Sequence, residues 1–232
     1  MPVSAIPSRT ASLVAETGRK VGLADAAASL DLAEEDILRA HWYGLLGAIL
    51  RGAPDSARLD QLAALTGDDT DFGASVSGLA AAAQAAKTAQ AADPDTLKQE
   101  HFDLFIGVGR GELLPYGSYY LAGFLYEKPL AQLRADMREL GIARAESVHE
   151  PEDHIAALLE MMSGLITGAF GADGNGADLA TQRAFFAAHL GSWAPRFFED
   201  LENAKAASFY RAVGQIGRRF LAIEAEAFEM TA

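Results

Sequence analysis

The chain has no cysteine. Disulfides, thiol nucleophiles and zinc sites built on thiolates are thereby excluded. The absence also fits a reducing compartment such as the cytosol. Basic residues are scarce too: 19 Lys and Arg stand against 32 Asp and Glu, for a formal charge of -13. So acidic a chain repels phosphate, and neither nucleic acid nor an anionic membrane is an expected partner. A cationic partner would be attracted. No uncharged apolar run is long enough to span a bilayer, so no membrane insertion is expected. The first ten residues lack the basic segment and apolar core of a secretory signal. Valine and isoleucine are few beside alanine and leucine, which disfavours sheet.

What is present points to helices. Half of the 232 residues are hydrophobic, enough for a substantial core. A helix is expected from near Asp31, with Ile37, Leu38, Trp42, Leu45, Leu46 and Ile49 on one face, ended by Gly52 and Pro54. A shorter one holds Leu59, Leu62 and Leu65. Another covers residues 72–92. Asp93 as cap and Pro94 at the first position would open a helix through Leu97, His101, Leu104 and Phe105. Residues 107–117 carry four glycines and Pro115 and read as a loop. Helical spacing resumes near Ser118, with Tyr119, Tyr120, Phe124 and Leu125. It restarts after Pro129 with Leu130, Leu133, Met137 and Leu140, and Gly141 is its natural end. A loop at residues 171–178 precedes three further helices, over Phe185 and Leu190, over Phe197 to Leu201, and over residues 208–228. The expected fold is all-α, a single helical bundle of about ten helices over residues 31–232. It is preceded by an arm over residues 1–30, with a short helix at about residues 9–18.

The most informative stretch is Glu150-Pro151-Glu152-Asp153-His154, ahead of the apolar run Ile155, Leu158, Leu159, Met162, Leu165 and Ile166. Glu150 reads as an N-cap, Pro151 as the first helical residue and Asp153 as the third, with the acids favoured by the helix dipole. Capping alone leaves His154 unexplained. Other signatures fail. Gly107-Val-Gly-Arg-Gly111 lacks the spacing of a nucleotide loop and follows a helix, so no motif supports nucleotide binding. His149 and His154 are five apart with Pro151 between them, which is wrong for zinc on one helical face. Residues 173–178 lack the glycine and closing glutamate of a calcium loop. His41 and His189 sit beside large apolar residues and read as core or edge histidines. No catalytic residue, metal or cofactor is assigned.

Three ordered segments carry a resemblance: Glu100-His-Phe-Asp-Leu-Phe105, Pro115-Tyr-Gly-Ser-Tyr119 and Glu150-Pro-Glu-Asp-His154. Together they resemble the TorD/DmsD family of redox-enzyme maturation chaperones, over residues 31–205 and most closely over 98–167. One family signature is an aromatic residue, two variable positions, then Leu-Phe. Leu104-Phe105 matches it, with His101 in the aromatic place and Phe102 beside it. The other, Glu-Pro-x-Asp-His, is complete. A further glutamate often precedes it, where this chain has Val148 or His149.

The resemblance implies an all-helical, non-enzymatic chaperone in the cytoplasm. Its partner would be the twin-arginine leader and apoprotein of a molybdopterin oxidoreductase, of formate dehydrogenase or dimethyl-sulfoxide/trimethylamine-oxide reductase type. Molybdopterin belongs to that client. The family includes monomers and domain-swapped homodimers. A twin-arginine leader is basic and then apolar, so its binder needs carboxylates beside an apolar groove. Glu150, Glu152 and Asp153 suit guanidinium groups, with Pro151 and His154 among them. Pro115, Tyr116, Gly117 and Ser118 would supply one wall. Leu104, Phe105 and Tyr119 are read either as groove wall or as core. Two rival readings stand: an assembly factor for a non-exported molybdoenzyme such as nitrate reductase, and a small helical enzyme using Asp153, His154 and Glu160.

Overall fold

A computed structural model describes residues 33–145, 148–171 and 174–230. The expected arm and its helix at residues 9–18 lie outside the described residues, as does Asp173 of the calcium-like loop. Among the described residues, ten α-helices follow one another. They are α1 Glu34–Arg51, α2 Ser56–Ala63, α3 Asp71–Ala92, α4 Thr96–Phe105, α5 Gly117–Ala122, α6 Lys128–Glu139, α7 Ile155–Thr167, α8 Leu179–Phe186, α9 Ala194–Asn203 and α10 Phe209–Met230. A one-turn π-helix, Ala187–Gly191, extends α8. The all-α reading holds.

The centre of the bundle is α7. It is apolar nearly all round, and Ile155, Leu158, Leu159, Met161, Met162, Leu165 and Ile166 are all buried. It packs most extensively on α1, whose Tyr43, Leu46 and Ile49 are fully buried. A second layer pairs α9 with α10, and α10 also packs on α3. At Gly214 of α10 an added Cβ would lie 2.6 Å from the Glu202 nitrogen of α9, so only glycine permits this approach.

Three expected boundaries move. The helix after the glycine loop stops at Ala122, because Gly123 takes a left-handed φ of 82°. Phe124 and Leu125 therefore leave the helix, and Phe124 is 72% exposed. The helix expected from Asp93-Pro94 starts at Thr96 instead. Asp93 folds into a turn of its own, accepting from Asp95 N–H at 3.1 Å through its side chain and from Thr96 N–H at 3.2 Å through its carbonyl. The helix expected from Pro151 starts at Ile155, for a reason found at the site below.

One buried ionic cluster joins three helices. Glu224 of α10 is 2% exposed and accepts from Arg39 of α1, with Nε at 2.9 Å from one oxygen and a terminal nitrogen at 2.9 Å from the other. Tyr43 O–H donates to the same carboxylate at 3.0 Å. Arg39 also donates to Asp36 at 2.8 Å and to Gln182 of α8 at 3.1 Å. Burial first, and then the nearby Glu224 charge, push the Tyr43 phenol well up, so it stays a donor. Removing one partner strands the other in a low-dielectric site. Arg39→Ala is therefore expected to cost about 3–5 kcal/mol in urea denaturation. Replacing the pair together, Arg39→Met with Glu224→Leu, is expected to recover most of that loss.

Candidate functional site

The site is built around an isolated backbone pairing, with no strand among the described residues. Residues 115–117 lie antiparallel to residues 153–155, with Tyr116 opposite His154. Gly117 N–H donates to the Asp153 carbonyl at 2.9 Å, and Ile155 N–H donates to the Pro115 carbonyl at 2.8 Å. Tyr116 and His154 form the non-hydrogen-bonded pair, where side chains approach most closely. Their rings meet edge-on with centroids 5.1 Å apart.

Asp153 completes the lock. It is 3% exposed, and its Oδ2 accepts from Ser118 N–H at 2.7 Å, satisfying a donor in the first turn of α5. The acid expected at the third position of its own helix instead serves the first turn of another one. His154 takes the capping role at α7, where its Nδ1 accepts from Ala156 N–H at 3.1 Å. The proton of the neutral ring therefore sits on Nε2. This pairing corrects the expected helix start. Residues 150–154 make an extended and turn segment because the 115–117 backbone needs them as partners, and their helical propensity is overridden.

Glu152 is also occupied. It is 9% exposed and takes two N–H bonds from Arg134 of α6 on one oxygen, at 2.8 and 3.0 Å. Arg144 stands 3.7 Å from the other oxygen. Burial opposes the charge, but the Arg134 bonds and both guanidinium charges hold the Glu152 carboxyl below its usual range. Glu150 is the exposed acid of the motif, and among the described residues its side chain has only long contacts of 3.4 Å to the Tyr116 hydroxyl. Burial, followed by the Glu150 charge, pushes the Tyr116 phenol up.

The remaining expected residues divide. Pro115, Gly117 and Ser118 are buried, and Pro151 is partly so. Leu104 is fully buried core. Phe105 packs on that core beside Tyr210 and His101, with centroids at 5.4 and 5.1 Å. His101 thus fills an aromatic place, its ring edge-on to Phe105 and tilted against Tyr210. Tyr119 turns to Arg110, whose guanidinium bonds its hydroxyl at 3.0 Å and covers its ring.

Beside the lock is a cavity of about 200 Å³, lined by Gly117, Leu121, Leu133, Asp153, Leu158 and Trp193. The Asp153 Oδ1 and Ser118 Oγ atoms are buried without a hydrogen-bond partner among the described residues. The sequence reading missed Trp193, Leu121 and Arg134. The first two carry no signal outside the fold. Leu130, Arg134 and Arg138 recur at i, i+4 and i+8 on one helix face, which was a readable signal.

Among the described residues no cluster of His, Asp and Glu suits a metal. No described helix is long and apolar enough to cross a membrane.

A family model described as nitrate reductase delta subunit matches residues 66–199. The chain belongs to this family, the TorD/DmsD family that its motifs resemble. The chaperone protein TorD of Aliivibrio fischeri is 32% identical over 133 residues, covering 55% of this chain and 62% of the relative. A TorD of Vibrio cholerae is 30% identical over 129 residues, covering 54% and 59%. The chain thus spans about three fifths of the length of these TorD relatives. The Tat proofreading chaperone DmsD of Salmonella typhi is 32% identical over 183 residues, covering 77% of this chain and 84% of that one. A crystal structure described as a redox enzyme maturation protein, from Archaeoglobus fulgidus, covers 80% of this chain and 94% of its own at 22% identity and a TM-score of 0.48.

The state of His154 yields a stability test. Burial, with smaller contributions from Arg51 and His101, pushes its pKa down to about 3. The unfolded chain takes up that proton near pH 6.5. Stability from the neutral ring is complete above that pH and is lost as pH falls from 6.5 toward 3. His154→Asn keeps a capping side chain without the titration. Between pH 7.5 and 5.5 the wild type is expected to lose about 1.4 kcal/mol more than the variant in denaturant titrations.

Proposed function

We propose that this protein is a cytoplasmic chaperone that binds the twin-arginine leader and apoprotein of a molybdopterin oxidoreductase until its cofactor is inserted. The names of the relatives support a chaperone rather than an enzyme. The observation that carries the reading is the Asp153 carboxylate. It is buried, keeps one unpartnered oxygen, and lines an apolar cavity next to the exposed acid Glu150. A guanidinium followed by an apolar side chain matches that pairing of charge and cavity. Leu121, which lines the cavity, is itself 45% exposed and extends the apolar surface to its mouth. Against the enzyme reading, Asp153 Oδ2 and His154 Nδ1 are held by backbone N–H groups, and Glu160 is paired with Arg51 at 2.7 Å. We assign the role to the helical domain over residues 31–232.

A second reading has its own support. The matching family model is described by nitrate reductase, so an assembly factor for a non-exported molybdoenzyme of that kind fits the same site. Affinity capture of the protein from its source cells, read by mass spectrometry, separates the two by whether the captured oxidoreductase carries a leader.

Calorimetry with a synthetic peptide of two consecutive arginines and an apolar stretch tests the first reading. Binding is expected at about micromolar concentration or below. Lysine in place of both arginines weakens it, because bidentate pairing is lost. Glu150→Gln weakens it at an unchanged melting temperature, since Glu150 is exposed and holds no structural bond shorter than 3.4 Å. Absence of heat with every leader peptide of the source genome overturns the reading.

A further inference from the structure

On the far side of α6 from the Asp153 cavity is a cleft of about 500 Å³ of opposite character. Arg134, Arg138 and Arg144 line it, with Glu152 as the lining carboxylate. In a chain of charge -13, three guanidinium groups against one carboxylate make a local reversal of sign. The floor is apolar and solid: Leu130, Met137 and Ile142 are each buried. At the rim stands Tyr126, 70% exposed, with a left-handed φ of 64° that a tyrosine adopts at a cost.

We propose that this cleft binds a small organic phosphate monoester, its phosphate on the arginines and its apolar or aromatic body on Leu130, Met137 and Ile142 beside the Tyr126 ring. The excess of two positive charges matches a phosphate dianion. Donor capacity is ample. A guanidinium carries five N–H donors, and Arg134 spends two of them on Glu152. Those two bonds fix its plane, so it meets a ligand already oriented. The Arg138 guanidinium makes no hydrogen bond or ion pair among the described residues. The volume suits a small molecule with several rings. A basic leader is repelled here, so this site is separate from the one proposed above, although Glu152 and Asp153 are neighbours in the chain.

The test is calorimetry of the full chain with phenyl phosphate, inorganic phosphate and benzylamine as probes. Phenyl phosphate is expected to bind, inorganic phosphate about tenfold or more weakly than it because the floor is left uncovered, and benzylamine not at all. Arg138→Glu is expected to weaken phenyl phosphate by at least about tenfold. Lys98→Glu makes the same change in net charge on α4 and is expected to leave the affinity unchanged. Arg138→Gln, which removes the charge without reversing it, weakens binding in the same direction and covers the case in which the charge reversal lowers the melting temperature. Leader peptide titrated on the same preparations separates this proposal from the chaperone reading, since Arg138→Glu leaves leader binding intact. Equal affinity for phenyl phosphate and inorganic phosphate, equal weakening by Arg138→Glu and Lys98→Glu, binding of benzylamine, or no heat with phenyl phosphate each overturns the proposal.

Discussion

The constraint on which this face of the molecule depends is the satisfaction of backbone donors at the start of α5. A six-residue helix offers few bonds of its own, and its first turn lies buried, so its N–H groups need partners from elsewhere. Asp153 provides them twice, through its carbonyl to Gly117 and its carboxylate to Ser118. Once residues 115–118 are held this way, Tyr116 must lie against His154. His154 in turn begins α7, the helix at the centre of the core. The motif is thus a structural joint first. Whatever it offers a partner is set by the part of its chemistry that the joint leaves over.

That remainder is small and unevenly charged. Glu152 faces one side of α6 and is neutralised by Arg134, with Arg144 nearby. Asp153 faces the other side, where the neighbours are Trp193, Leu121 and Leu133 rather than cations. Two adjacent acids therefore meet opposite surroundings across a single helix. The Asp153 side is left with negative charge and the Arg134 side with positive charge. The overall charge of the chain predicts the first of these and conceals the second.

Burial decides a similar division among the aromatic residues. Leu104 and Phe105 belong to the core, where Phe105 meets Tyr210 of α10. The α4 helix is bound to that neighbour from a second direction as well. Glu100 accepts from Ser208 and Tyr210 N–H groups at 2.7 and 2.9 Å, which serves the N-terminus of α10. The Leu-Phe signature thus positions α10 and the floor beneath the glycine loop.

The sequence by itself determined the helical class, because apolar residues recur at helical spacing and strand formers are few. It determined the ends that glycine and proline dictate locally, at Gly52 and Gly141, and through three ordered motifs it determined the family. Tertiary structure alone decided which acids of Glu150-Pro-Glu-Asp-His154 are free. Their partners, Arg134 and Ser118, lie 18 and 35 residues away, and no local pattern encodes that pairing. It also decided where α7 begins. Pro151 is well suited to open a helix, but the unpaired backbone of residues 115–117 draws residues 153–155 into an extended pairing. The long-range hydrogen bonds outweigh a local preference worth a fraction of a kilocalorie per residue. Arg39 and Glu224 make the same point at a separation of 185 residues. Sequence fixes the alphabet of elements through nearest neighbours. Pairing between distant charged and polar groups is set only when burial removes the water that would otherwise satisfy them.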